Sequence, residues 1–95
     1  MEIGGFKVAS FFPGRVKLKL PELQDSPDLA ARLEGRLITV PGIRDVEARA
    51  VSGSLLVRYD ARRLKESGSL DTLQHVLAEL FPQRDVAALR RRLGR

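Results

Sequence analysis

The chain has 95 residues, no cysteine, 43% hydrophobic and 31% charged residues, and a formal net charge of +5 with a pI near 10.4. This is the size and composition of one domain that can build a core without disulfides or a structural metal, and the missing cysteines exclude thiolate zinc sites, iron–sulfur clusters and a Cys nucleophile. No apolar run approaches the roughly 18 residues of a membrane span, and Met1 to Phe12 lacks the charged start, long apolar stretch and cleavage site of a signal peptide, so a cytoplasmic protein is expected.

Lys7 to Phe12 reads as a short extended segment that Pro13-Gly14 interrupts. Arg15-Val16-Lys17-Leu18-Lys19-Leu20 follows as a strand of strict alternation, with Val16, Leu18 and Leu20 on one face and Arg15, Lys17 and Lys19 on the other. Pro21 to Ser26 is a loop. Ser26-Pro27-Asp28 then has the order of a helix start, Ser as N-cap, Pro at the first position and an acid at the positive end of the dipole. The spacing of Leu29, Leu33, Leu37 and Val40 predicts a helix to about Thr39, weakened at Gly35, whose missing side chain suits a close backbone approach.

Pro41-Gly42 ends that helix. Ile43 to Val51 is expected as a second strand, in which Val46, Ala48 and Ala50 alternate with Asp45, Glu47 and Arg49. Ser52-Gly53 is a turn, and Ser54 to Tyr59 a third strand with Leu55, Val57 and Tyr59 opposed to Leu56 and Arg58. After a loop from Asp60 to Ser69, the spacing of Leu70, Leu73, Val76, Leu77 and Leu80 predicts a second helix that Phe81-Pro82 breaks. Arg84 to Leu93 is expected as a short third helix, Val86, Leu89 and Leu93 inward and Arg84, Arg91 and Arg95 outward.

Strand, helix, strand, turn, strand, helix is the α+β order of a ferredoxin-like split βαβ sandwich, an antiparallel sheet with two helices on one face. The whole chain, 1–95, is expected as a single domain with its core in 15–80 and an extra helix over 84–93. Its last strand is missing. Lys7 to Phe12 is expected to take the vacant edge beside the first strand, the rival being one long strand from Lys7 to Leu20 with a bulge at Pro13-Gly14.

The run Leu33, Leu37, Val40-Pro41-Gly42-Ile43, Val46, then Ser52-Gly53-Ser54-Leu55-Leu56-Val57-Arg58-Tyr59-Asp60, resembles the heavy-metal-associated domain. That family has a leucine and a leucine-proline-glycine-valine at the end of its first helix, a threonine-glycine turn, and a strand ending in tyrosine-aspartate. Its loop after the first strand carries methionine-threonine-cysteine-x-x-cysteine for a soft metal; here that loop is Pro21-Glu22-Leu23-Gln24-Asp25-Ser26-Pro27, without a thiol. Pro13-Gly14-Arg15 with the alternating basic residues after it is similar to a cysteine-less branch of that family. The branch occurs as cytosolic domains of bacterial P-type metal-transport ATPases and as small proteins connected with metal handling, iron included. The resemblance implies a place in metal homeostasis and carries over no metal ligand and no cofactor.

Arg15, Lys17, Lys19 and Arg58 fall on neighbouring strands of such a sheet and make its exposed face positive. A nucleic-acid reader of this topology would add outward aromatics to stack bases. None is expected on that face, and Asp45 and Glu47 oppose its charge, so nucleic acid ranks behind a protein partner. Asp71, His75 and Glu79 recur every fourth residue on the second helix and could offer imidazole and carboxylate to a divalent ion, yet ligands on one exposed helix lack enclosure, and the polar stripe that a surface helix needs opposite Leu73, Val76, Leu77 and Leu80 is the better reading. Glu22 and Asp25 in the altered loop are weaker candidates of the same kind. Arg90-Arg91-Arg92 with Arg95 suits an acidic protein or an acidic membrane surface, or serves as the polar side of a terminal helix. No P-loop, nucleophile elbow or dinucleotide fingerprint is present. The expectation is a non-enzymatic docking module in metal handling, with anion reading second, weak divalent-metal binding third, and self-association through exposed strand edges left open.

Overall fold

The computed structural model describes residues 1–66 and 68–94. Its elements are β1 (Glu2–Ile3), β2 (Phe6–Phe12), β3 (Arg15–Lys19), a 3-10 turn (Pro21–Leu23), α1 (Pro27–Leu37), β4 (Ile43–Arg49), β5 (Ser54–Tyr59), α2 (Ala61–Leu64), α3 (Ser69–Leu80) and α4 (Val86–Leu93). The strands form one antiparallel sheet in the order β1-β2-β3-β5-β4. The α+β sandwich expected from the sequence is therefore present, and β2 fills the edge beside β3.

Pro13-Gly14 forms a hairpin turn rather than a bulge. Phe12 pairs with Arg15 across it, and Gly14 sits at φ +88° with its carbonyl accepting the Tyr59 N–H at 2.9 Å. The bulge lies instead between Val8 and Ser10. It shifts the alternation by one residue, so Val8 and Phe11 both turn toward the core. The N-terminal pair β1–β2, absent from the sequence reading, turns at Gly4-Gly5, both at positive φ. Two residues are too few for an alternation signal.

Inward side chains line up in rows, Phe11–Val16–Val57–Val46 and Val8–Leu18–Leu55–Ala48. Leu33 and Leu37 from α1 and Leu73, Val76 and Leu77 from α3 close over them, and α4 adds Val86, Leu89 and Leu93.

Ser26 and Pro27 begin α1 as expected, with Ser26 Oγ accepting the Leu29 N–H at 3.4 Å. The helix stops at Leu37 rather than Thr39. Thr39 Oγ1 donates to the Arg36 carbonyl at 2.7 Å, the acceptor that the Val40 N–H would need, and Val40 turns back to Leu37 instead. The span read as loop after Tyr59 contains α2, nucleated by Asp60, whose Oδ1 accepts the N–H groups of Arg62 and Arg63. Leu64 is thereby buried against Gly42, where an added Cβ would stand 2.9 Å from the Leu64 nitrogen.

Gly35, by contrast, approaches no other element: among the described residues no atom beyond its chain neighbours and its own helix backbone lies within 4 Å of the Cβ it lacks. Gly35→Ala in this exposed helical position is expected to raise stability by about 0.5–1 kcal/mol. A urea midpoint that does not rise would contradict the helical assignment there.

Candidate functional site

The sheet face away from the helices is a grid of mostly polar side chains set by strand register, with Phe12 and Leu56 among them. One row reads Phe12–Arg15–Arg58–Asp45, the next Ser10–Lys17–Leu56–Glu47, and the third Lys7–Lys19–Ser54–Arg49. Four of the cations expected to gather, Arg15, Lys17, Lys19 and Arg58, do stand on the adjacent strands β3 and β5. Register also adds Lys7 and Arg49, which alternation within single strands could not assign to the same row.

The cations are not equally available. Arg58 Nη1 donates to Asp45 Oδ2 at 2.9 Å, and Arg15 Nη1 donates to Ser10 Oγ at 3.2 Å. Arg49 Nη2 reaches Glu47 Oε2 at 3.4 Å. Among the described residues, Lys7, Lys17 and Lys19 form no ion pair. The positive potential of the face is therefore concentrated on three lysines toward the end that carries the β4–β5 turn. Phe12 is a correction to the sequence reading: the β2 bulge turns it out beside Arg15, 59% exposed, so the face does hold one aromatic.

The loop after β3 is tied down on three sides. The Leu20 N–H donates to the Gly53 carbonyl at 2.7 Å and the Asp25 N–H to the Ala50 carbonyl at 2.8 Å, which pins the loop to the β4–β5 turn. Glu22 receives both terminal nitrogens of Arg84 in a two-point pair, one contact at 3.0 Å. That guanidinium also donates from Nε to the Gly5 carbonyl at 3.1 Å and lies 5.2 and 5.3 Å from the ring centres of Phe6 and Phe81. Arg84, expected to point outward, is thus a largely enclosed cross-link between the N-terminal hairpin, the altered loop and the chain entering α4. It holds the Glu22 carboxyl below its ordinary pKa, chiefly through the hydrogen bond, which outweighs the opposing effect of burial, with a backbone hydrogen bond and the Arg84 charge adding less.

Asp71, His75 and Glu79 do share one face of α3, but Asp71 and Glu79 are held by arginines of other helices and His75 reaches only Glu79. Asp71 pairs with Arg90; Glu79 pairs with Arg36 at 2.7 Å and with His75 Nε2 at 2.8 Å. The Arg36 hydrogen bond and charge lower the Glu79 pKa. Among the described residues no group of three His, Asp or Glu side chains converges on a point that could hold an ion, and Asp25 joins none with Glu22.

In α4, Arg90 binds Gln74 and Asp71, while Arg92 lies 5.9 Å from the Phe11 ring centre. Arg91 is exposed, and Arg95 lies outside the described residues. No helix among the described residues is long and apolar enough to cross a membrane.

A family model described as heavy metal associated domain 2 matches residues 2–82. No curated protein and no solved structure matches the chain.

Proposed function

Because the chain belongs to the heavy metal associated domain 2 family, we propose that it acts in transition-metal homeostasis, iron included, by docking onto a protein partner rather than by passing a metal between thiolates. The chain has no cysteine. The observation that carries the docking reading is the trio Lys7, Lys17 and Lys19, gathered by register on the open sheet face and left without ion pairs among the described residues. Arg15 and Arg58 extend the same surface, and Phe12 and Leu56 give it apolar contact area of the kind found at protein interfaces. The partner is a metal transporter or a storage or scaffold protein that presents acidic residues, the module itself has no catalytic step, and residues 1–95 work as one unit with α4 included. Arg91, on α4 and so on the helical side, together with Arg95 is a separate secondary contact for an acidic protein or an acidic membrane surface.

The sheet face fits this role better than the sheet edges. Glu34 Oε2 accepts the Ala48 N–H of β4 at 3.0 Å, which blunts one edge, and at the other edge the two-residue β1 covers the start of β2 at Phe6 and Lys7. A second reading, single-stranded nucleic acid, draws on Phe12 beside Arg15. One aromatic gives a single stacking platform where such readers use several.

Lys17→Glu with Lys19→Glu is expected to abolish capture of the partner from native cell extract, while Arg32→Glu on the opposite, helical side leaves it intact. Unchanged capture by the double variant would sink the reading. A salt-sensitive shift of short RNA, lost in Phe12→Ala, would favour the second one.

A further inference from the structure

The two ends of the open face differ in chemistry. At the end of the β2–β3 hairpin, Arg58 and Arg15 already have Asp45 and Ser10. At the other end, the row Lys7–Lys19–Ser54–Arg49 crosses β2, β3, β5 and β4. Two shallow open depressions, of about 310 and 460 Å3, meet there and share Lys19 and Ser52 as lining. Ser54 is buried and its Oγ lies 2.6 Å from Ser52 Oγ. Since only one hydroxyl of such a pair can donate to the other, the accepting hydroxyl keeps its own proton for a ligand.

We propose that this row is an oxyanion groove whose occupant is an acidic peptide segment laid across the strands, a proposal that rests on the docking reading and names what the face binds. Strands lie roughly 4.8 Å apart, so Lys7 to Arg49 spans about 14 Å, the length of about four extended residues. The donors favour separate carboxylates over a phosphate. Phosphate sites rely on converging backbone N–H groups and arginine forks. Here the Gly53 N–H is spent on the Arg49 carbonyl, the Leu20 N–H on the Gly53 carbonyl, and Arg49 leans toward Glu47. What remains is ammonium groups and a hydroxyl, point donors spaced along a line. Glu2, opposite Lys7, and Glu47 at the far rim repel a concentrated double charge more than single charges set between them.

The test is a fluorescence-polarisation titration of a labelled hexaglutamate peptide against the full chain at low salt, with the pairs Lys7→Gln/Lys19→Gln and Arg15→Gln/Arg58→Gln compared. The first pair is expected to weaken binding about tenfold and the second less than about threefold. Lys7→Gln, at an exposed position where folding is not at stake, is expected to weaken it about threefold. Equal losses from both pairs would overturn the groove while leaving a face-wide docking surface intact, to be judged by the capture experiment. No binding of the peptide by the unaltered chain would overturn the groove outright. Tighter binding of pyrophosphate, or of a short oligonucleotide, through the same lysines would overturn the carboxylate assignment.

Discussion

Gly4→Ala is expected to destabilise the domain by about 2–3 kcal/mol, the sum of a left-handed backbone cost and a lost hydrogen bond. Gly4 has φ +61°, and a Cβ there would stand 2.1 Å from the Asp85 carbonyl oxygen and 3.1 Å from the Ala88 Cβ. The obstacle is backbone, so no rotamer change relieves it. The Asp85 N–H, which donates to the Gly4 carbonyl at 2.9 Å, must move away with it. For a domain of this size each kcal/mol shifts the melting temperature by about 4–8 °C, so a fall of more than about 10 °C is expected. Gly68→Ala separates conformation from crowding. Gly68 is also left-handed, at φ +73°, but among the described residues nothing beyond its chain neighbours lies within 4 Å of its missing Cβ, so only the backbone cost of about 1–2 kcal/mol applies. Equal losses at the two positions would mean that the N-terminal hairpin does not clamp the start of α4.

The second large effect is at Arg84. Arg84→Ala removes the two-point pair to Glu22, the hydrogen bond to the Gly5 carbonyl and the contacts with Phe6 and Phe81. Partly exposed contacts of these kinds together are expected to be worth about 2 kcal/mol, the water-screened ion pair giving the smaller share. Arg84→Lys keeps the charge but not the planar fork, and is expected to recover less than half of the loss. The pair also gives stability a pH dependence of known sign. Arg84 depresses the Glu22 pKa in the folded chain, so the contribution is complete above the unfolded carboxylate value, roughly 4.3, and is lost as pH falls through the lower folded value. Stability curves of the unaltered chain and Glu22→Gln should therefore differ at neutral pH and converge only as pH falls below the depressed folded value. Parallel curves down to pH 2 would contradict an ionised, arginine-held Glu22.

How far the fold could be read in advance depended on how regular each segment is. β3 alternates without interruption, and its buried Val16 and Leu18 and its basic Arg15, Lys17 and Lys19 emerged on the faces expected. β2 does not alternate, because the bulge between Val8 and Ser10 inserts one residue; Phe12 is outside for that reason alone. α2 is too short to show a period and exists because Asp60 caps it. The site was legible as a positive face shared by two neighbouring strands, Arg15, Lys17 and Lys19 with Arg58, and illegible in its outer members. Lys7 and Arg49 join Lys19 only through cross-strand register, which no local pattern encodes. Arg84 looked like one more surface charge in a basic segment, since its partners Glu22, Gly5 and Phe6 lie at the far end of the chain. The absent cysteines were plain from the start, whereas the ties that close the altered loop, to Ala50, Gly53 and Arg84, needed the fold.

The claim on which the functional account depends is that the open sheet face is the docking surface. The most direct measurement places a photo-reactive phenylalanine analogue at Leu56, the centre of that face, or at exposed Thr72 on α3, and irradiates each in native cell extract at low and high salt. The account predicts a discrete adduct from position 56, lost at high salt and in Lys17→Glu/Lys19→Glu, with no adduct from position 72. The same adduct from position 72 and none from position 56 would contradict it.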